Sequence, residues 1–412
     1  MQLTDNDRDM LGGGLGPAVK TSMELVLAIG EAAGAHRLID ISAAHVDGSL
    51  YHGLATLEFA ERLAGDEGQV RVPTTLNVTA LDLLHPELYR GDEEVAAQQR
   101  KQIVAYLAMG CQPTWTCAPY QLPDPPQFGD QVAWGESNAI VYANSVIGAR
   151  TNRYGDFLDI CCALTGRAPY VGLHTDEGRR ATLVIELEVP DEWLDNDLVY
   201  PVLGHLVGEL AGDDVPVIIG LDHRASTDRL KALGAAAASS GAVGMFHAVG
   251  VTPEAPDLET SLQGMTPDRV FSLDEGSLRE GLAELSSAHS RLGAVCLGTP
   301  HASMAELHSL VELAQGRESR VPFYVNTARH IYQEAQESGL ASELEAFGAI
   351  VVVDTCTYIT PILEPVDGAV MTNSGKWAYY APANLGVDVI LGTQADCVES
   401  AVTGEIVIGG PW

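Results

Sequence analysis

Three stretches, Gly293-Ala-Val-Cys-Leu-Gly298, Val321-Pro-Phe-Tyr-Val325 and Ala349-Ile-Val-Val-Val353, decide the fold. Each is short and almost wholly apolar, and the segments between them, 303–315 and 327–338, repeat apolar residues at the helical period. A strand without polar alternation has both faces buried, which is the condition of a parallel sheet covered by helices on two sides. The last third of the chain is therefore predicted to form a β-α-β-α-β unit. Further towards the N-terminus, Val215–Ile219, a helix over 226–237 and Val243–Phe246 predict a second such unit, and helical periodicity returns at 93–109, 54–64 and 18–33. The fold class is α/β with largely parallel sheets. The Pro-rich stretches Leu122–Gly129 and Thr252–Asp257 read as connectors, and a subdomain boundary is placed near 255–280.

Composition narrows the function. Hydrophobic residues make up 46% of the 412 and charged ones 19%, enough to build cores and too apolar for disorder. No fixed-period repeat marks a solenoid or propeller. The first ten residues, MQLTDNDRDM, carry charges where a secretion signal needs an apolar run, and no apolar run approaches the roughly 20 residues of a membrane span. The expectation is a soluble, cytoplasmic protein with no membrane partner. With 23 basic against 56 acidic residues the net charge is −33, and only four lysines (Lys20, Lys101, Lys231, Lys376) join the arginines. A phosphate backbone needs a clustered cationic face, so no nucleic acid is expected. The acidity fits a high-salt cytoplasm or a GC-rich genome, and bears on solubility rather than fold.

Seven cysteines without a CxxC pair exclude zinc-ribbon and thioredoxin spacing, so any metal site must be assembled by folding. In open α/β sheets ligands collect beyond the carboxyl ends of strands. Asp354-Thr-Cys356 follows a strand directly, which fits a ligand and a small buried residue equally. Thr116-Cys117-Ala-Pro-Tyr120 holds a thiol before a proline. Cys397, in Asp396-Cys-Val-Glu-Ser-Ala401, fits a ligand or the packed face of a helix. Gly298-Thr-Pro-His301-Ala-Ser303 opens a helix, where His301 and backbone amides could face an anion; ordinary capping by Ser303 is the plainer reading. Trp134-Gly-Glu136-Ser137-Asn138, Asn144-Ser145 and Arg150-Thr-Asn152-Arg153 form a dense polar run suited to bidentate carboxylate or phosphate recognition. Asn373-Ser-Gly-Lys376 lacks the spacing of a phosphate-binding loop, which rejects an ATPase.

Eight strings taken together resemble the catalytic part of aconitase X and run in that family's order. They are Val72-Pro-Thr-Thr-Leu-Asn77, Thr116-Cys-Ala-Pro-Tyr120, Trp134-Gly-Glu-Ser-Asn138, Asn144-Ser-Val-Ile-Gly-Ala-Arg-Thr-Asn-Arg153, Pro300-His-Ala-Ser303, Asp354-Thr-Cys356, Asn373-Ser-Gly-Lys376 and Cys397-Val-Glu-Ser-Ala401. The chain departs from the family at Thr299, where a cysteine is frequent, and at Leu15, where a Gly-Glu pair is common.

The resemblance implies a catalytic unit of several α/β/α subdomains over 1–412 and a dehydratase with an iron or iron–sulfur centre. A 4Fe-4S cluster is expected, with 2Fe-2S and mononuclear iron as the alternatives. Cys117, Cys356 and Cys397 carry over as its ligands, with Cys296 as a fourth candidate. Glu136, His301, Ser303 and Lys376 carry over to the chemistry. Thr74, Thr75, Asn77, Ser137, Asn138, Asn144, Ser145, Arg150, Asn152, Arg153, Arg167, Asn373 and Ser374 carry over to binding a small hydroxy acid. The expected substrate is mevalonate 5-phosphate, with cis-3-hydroxy-L-proline as the alternative; an iron-sensing RNA-binding protein is disfavoured by the charge. No swivelling small domain is read in this chain, so a separate small subunit is the expected partner.

Overall fold

The computed structural model describes residues 1–288 and 291–410. The chain divides into two compact units, Met1–Leu81 with Gly91–Arg180, and Asp82–Arg90 with Ala181–Trp412. Among the described residues no helix is long and apolar enough to cross a membrane.

In the first unit β1 (Leu38–Asp40) pairs antiparallel with β5 (Arg167–Pro169), while β2 (Ala43–Val46), β3 (Thr74–Leu76) and β4 (Val132–Trp134) form a parallel sheet ordered β3-β2-β4. Helices Pro17–Ala32, Leu54–Gly65 and Glu93–Ala108 accompany it, each burying one stripe, such as Val19, Met23 and Val26 on the first of them, and helix Leu158–Thr165 is buried on every side.

Among the described residues the second unit holds two sheets, parallel throughout. One is ordered β8-β7-β6-β9, from β6 (Leu183–Glu188), β7 (Pro216–Ile219), β8 (His247–Ala248) and β9 (Arg269–Asp274). The other is ordered β12-β11-β10-β13-β14, from β10 (Leu292–Ala302), β11 (Phe323–Thr327), β12 (Ala349–Val352), β13 (Ala369–Thr372) and β14 (Val389–Leu391). The expected β-α-β-α-β unit is β10 to β12 with their helices Met304–Ala314 and Arg329–Ser338. Val295, Leu297, Phe323, Val325 and Val351 join Leu307, Leu310, Ile331, Leu344 and Val398 in one core. Each such side chain stabilises the unit by roughly 1.5–3 kcal/mol on burial.

Two details differ from the sequence expectation. Val243–Phe246 is irregular, and the strand falls just after it at His247–Ala248, because the ladder to β7 pairs Val217 with His247 and Ile218 with Ala248. Within 255–280, β9 pairs with β6 along Leu183–Glu188 and so belongs to the preceding sheet.

The order β12-β11-β10-β13-β14 reverses direction between β10 and β13, the switch point where open α/β sheets leave a crevice. β10 prepares that crevice with a bulge. Between Leu297 and Ala302 it advances five residues while β11 advances two, from Val325 to Thr327, so Gly298–His301 are pushed out of the ladder. Gly298 makes this turn at φ +80°, and a Cβ there would lie 2.0 Å from the Asn326 carbonyl oxygen. Only glycine fits. We expect Gly298→Ala to cost about 2–4 kcal/mol, from strain and overpacking together, seen as a lowered urea midpoint with an unchanged denaturant slope.

Candidate active site

Parallel pairing places the carboxyl ends of β2, β3 and β4 along one edge of the first unit's sheet, and each strand is followed there by a polar residue: Asp47, Asn77 and Glu136. Asn77 Nδ2 donates to Asp47 Oδ1 and, at 3.1 Å, to Glu136 Oε2, so one amide bridges two carboxylates. Glu136 Oε1 accepts from Ser137 Oγ at 3.1 Å, Asn138 N at 3.1 Å and Asn138 Nδ2 at 2.7 Å. Glu136 thereby caps the helix Ser137–Tyr142. Asn138 Nδ2 also donates to the Cys117 carbonyl at 2.9 Å, and its Oδ1 accepts from Tyr120 at 2.8 Å. The Tyr120 ring stacks on Tyr142 at 3.8 Å between centroids. These bonds fasten the buried Cys117 loop to the same rim. Gly135 is required for the approach: a Cβ would lie 2.7 Å from Asp159 Oδ2 and 2.8 Å from Asp47 Cβ.

Three residues of this rim escaped the sequence analysis. His45 is wholly buried on β2 with Nδ1 2.8 Å from Thr75 Oγ1, and burial drops its pKa to about 4 against smaller opposing effects of Glu136, Thr116 and Asn77. Asp47 is half-buried, and its carboxyl is held well above the usual range by desolvation and then by Glu136, Asp156 and Asp159. Asp159 accepts the amides of Asp47 (2.7 Å), Gly48 (3.4 Å) and Ile160 (2.6 Å), yet burial still pushes it up to about 7. Ala-Ala-His-Val reads as core and Asp-Gly-Ser as a turn. The available signal was the position of Asp47 at the end of a parallel strand; His45 lies within β2 and Asp159 on the helix Leu158–Thr165, and neither carries such a signal.

The second unit's rim lies at the carboxyl ends of β10 to β14. Here His301 and Cys356, both buried, bring a ring nitrogen and the thiol sulfur within 4.8 Å of each other. His301 Nε2 lies 3.0 Å from the Thr355 carbonyl, which only accepts, so Nε2 carries the proton and Nδ1 keeps the lone pair. A thiolate beside an imidazole oriented by a carbonyl is a donor set suited to iron or zinc. The loop is braced from both sides. Asp82 Oδ2 accepts from Val353 N at 3.0 Å, and Asp354, at φ +62°, takes Leu83 N at 3.3 Å and a two-pronged contact from Arg329. Asn326 donates to Leu297 O (2.8 Å) and Thr357 Oγ1 (3.1 Å), tying β11 to the Cys356 turn. Ser374 donates to the Thr299 carbonyl and caps the helix Gly375–Leu385, on which buried Lys376 lies with Nζ 5.7 Å from the Tyr358 ring centroid.

Several residues expected at the site serve the scaffold instead. Cys397 sits on the packed face of helix Gln394–Thr403 in the hydrophobic core, and burial, then Asp396 and Cys296, raise its thiol well above the ordinary range. Cys296 is likewise buried on β10 and raised. Ser303 forms the capping box with Glu306 and donates to Asp228 at 2.9 Å, within a buried network centred on Lys231. Arg167 is spent on Asp7, Asp40 and the Leu38 carbonyl, and Arg150 on Asp176 and the His174 carbonyl. Asn144 binds Thr151 through both amide atoms and accepts from Arg179, a buried cation the sequence reading did not single out. Asn152 bridges Val171 O and Leu173 N, and Thr74 donates to Val72 O. Ser145 is buried, Arg153 is exposed, and Asn373 lines a cleft of about 740 Å³ with Arg229, Glu306, Thr393 and Gln394.

Comparison with known proteins identifies three family domains along the chain. Family models for the aconitase X first, second and third domains match residues 1–177, 181–283 and 292–403. The chain is similar to a cis-3-hydroxy-L-proline dehydratase of Pseudomonas aeruginosa, 44% identical over 98% of this chain and 70% of that protein. A cis-3-hydroxy-L-proline dehydratase of Hypocrea jecorina is 43% identical over 98% and 69%. A phosphomevalonate dehydratase large subunit of Methanothermobacter thermautotrophicus is 37% identical over 94% and 96%. The crystal structure of Thermococcus kodakaraensis aconitase X in its holo form superposes with a TM-score of 0.86 at 31% identity, covering 97% of this chain and all of that one.

The acidic rim has a measurable consequence. A carboxyl raised in the folded state contributes stability below its unfolded pKa and loses it as pH rises through the folded value. For Asp159 that window runs from 3.8 to about 7. Chemical denaturation at several pH values should show stability falling across this window, and Asp159→Asn should flatten the fall.

Proposed function

Since the chain belongs to the aconitase X family, whose named relatives are dehydratases, we propose that this hydro-lyase removes water from cis-3-hydroxy-L-proline. The observation that carries this reading is the gradient of similarity. Two dehydratases of that imino acid, bacterial and fungal, are 44% and 43% identical, against 37% or less for the phosphomevalonate enzymes compared. This replaces the mevalonate 5-phosphate expected from the sequence.

Charge supports the same choice. A phosphorylated substrate brings a dianion and needs convergent cations. Of the cations carried over to the site, Arg150, Arg153, Arg167 and Lys376, the first and third are already paired with carboxylates of their own unit. The rim at Asp47 and Glu136 is acidic, which suits a zwitterion carrying a secondary ammonium.

In the mechanism we propose, Cys356 and His301 hold an iron centre, and Cys117 keeps the ligand role implied by its string. Cys397 is withdrawn, and with it the three-thiolate set that favoured 4Fe-4S. A mixed thiolate–imidazole set supports mononuclear iron or a smaller cluster. When bound, such a centre supplies a Lewis acid for the departing hydroxyl. Glu136, oriented by Ser137 and Asn138, takes the proton beside the leaving group. Lys376 receives the substrate carboxylate. A small subunit completes the enzyme, as the "large subunit" names of several relatives suggest.

Two measurements test this. Copurified with its small partner, the chain should turn over cis-3-hydroxy-L-proline in a side-by-side assay; turnover of mevalonate 5-phosphate alone would reverse the assignment. Iron quantitation should show loss in Cys356→Ala, His301→Ala and Cys117→Ala but not in Cys397→Ala. Glu136→Gln should keep its iron while kcat drops about 10²–10⁴-fold.

A further inference from the structure

The first unit's rim holds a buried histidine that the proposed mechanism does not use. His45 is wholly buried on β2, with its ring edge-on to Trp134 at 6.0 Å between centroids and Nδ1 2.8 Å from Thr75 Oγ1 on the neighbouring strand. Its Nε2 and the Asn77 Oδ1 are both buried and neither has another partner, while the ring interacts with the Asn77 side chain and the Thr116 carbonyl. These two orphaned atoms answer each other. An asparagine amide can exchange its nitrogen and oxygen, and its neighbours decide which arrangement stands. Here the side towards the carboxylates takes Nδ2, which donates to Asp47 Oδ1 and, at 3.1 Å, to Glu136 Oε2, so Oδ1 is left to the ring. An amide oxygen and a carbonyl only accept. The ring proton therefore sits on Nε2, and the Thr75 hydroxyl donates to Nδ1.

We propose that His45 is a positioning residue for Glu136 and acts through Asn77: the Nε2–H holds Oδ1 of the amide and so keeps Nδ2 on the carboxylate. This rests on the proposed function, in which Glu136 takes the proton, and it names the residue that fixes the base. Glu136 Oε1 is held from the other side by Ser137 and Asn138, so the Asn77 contact sets the direction of Oε2. Removing the ring N–H leaves Asn77 Oδ1 buried without a donor, and the side chain must leave the carboxylate to find one. A hydrogen bond to an ionised carboxylate favours that form, so its loss raises the pH at which Glu136 becomes a base. Asp47 faces Glu136 across the same amide, beside Asp156 and Asp159, and these charges stay in place when His45 is replaced. The ring itself is neutral above about pH 4. Its replacement therefore removes a hydrogen bond and no charge.

The test compares two uncharged variants in the full chain with its partner. In His45→Asn the shorter amide reaches the place of Nδ1 and keeps the Thr75 contact; in His45→Gln the longer one reaches the place of Nε2 and can donate to Asn77. With cis-3-hydroxy-L-proline as substrate, His45→Asn should lower kcat by about 10–100-fold with KM little changed. The acid limb of its kcat/KM profile should move up by about one pH unit, the equivalent of one charge-assisted hydrogen bond. His45→Gln should recover most of both effects. Equal losses in the two variants with an unmoved limb would show a structural role and overturn the proposal. A second measurement needs no variant: in the wild-type chain, two-bond ¹H–¹⁵N spectra of the assigned His45 ring should show a neutral imidazole protonated at Nε2 from pH 5 to 8. Protonation at Nδ1 overturns the role and leaves Glu136 as the base. Full turnover by Glu136→Gln overturns the base, and with it the role, even where the ring carries its proton on Nε2.

Discussion

Parallel pairing is the constraint on which the rest of this structure depends. When strands run the same way, their carboxyl ends meet at one edge, and the connection that returns each to the start must leave from that edge. The sheets β3-β2-β4 and β12-β11-β10-β13-β14 each obey this rule and each reverse direction once, between β2 and β4 and between β10 and β13. At the first reversal stand Asp47 and Glu136; at the second stand His301 and the Asn373-Ser-Gly-Lys376 turn. Chemistry-bearing side chains far apart in sequence are gathered within each unit because the ladder leaves them no other edge.

The same constraint explains what was legible in the sequence. The strands of the C-terminal sheet were readable because burial on both faces demands uninterrupted apolar runs, and 293–298, 321–325 and 349–353 supply them. β2 and β3 were not, since Ala-Ala-His-Val and Thr-Thr-Leu are three or four residues long and place polar groups inward. Asp47 and His45 were hidden for that reason. Glu136 and Asn138 could be named because a dense polar run has no place in a core, and Asn77 because its string carries the family resemblance. What the run could not reveal was which polar groups answer one another: Asn144 and Arg179 spend themselves on each other, as Arg167 does on Asp7.

The cysteines make the point most sharply. From sequence, Cys356 and Cys397 were each balanced between a ligand and a packed residue. Three-dimensional context separates them by the kind of backbone that carries each. Cys356 lies on a turn pinned by Asp82, Asp354 and Arg329, where the backbone is held irregular by charged contacts. Cys397 lies on a regular helix beside Val398 and Ala401, whose apolar stripe needs no polar partner. A turn held by a partly buried ion pair and by a residue at positive φ costs stability, and a fold retains such a cost where the donor it presents is used.

The acidic rim carries a cost of the same kind. Placing Asp47 and Asp159 beside Asp156 and Glu136 works against folding at neutral pH, because burial and the neighbouring charges disfavour the ionised form of both. Asp159 recovers part of this through three backbone amides, so its role is to hold the Asp47-Gly48 turn. Asp47 accepts the Asn77 amide, which also reaches Glu136 and so ties the ends of β2, β3 and β4 into one rim. Within one cluster, then, the carboxylate that the scaffold satisfies is structural. Asp47 is linked instead through the Asn77 amide to Glu136, the base of the proposed mechanism.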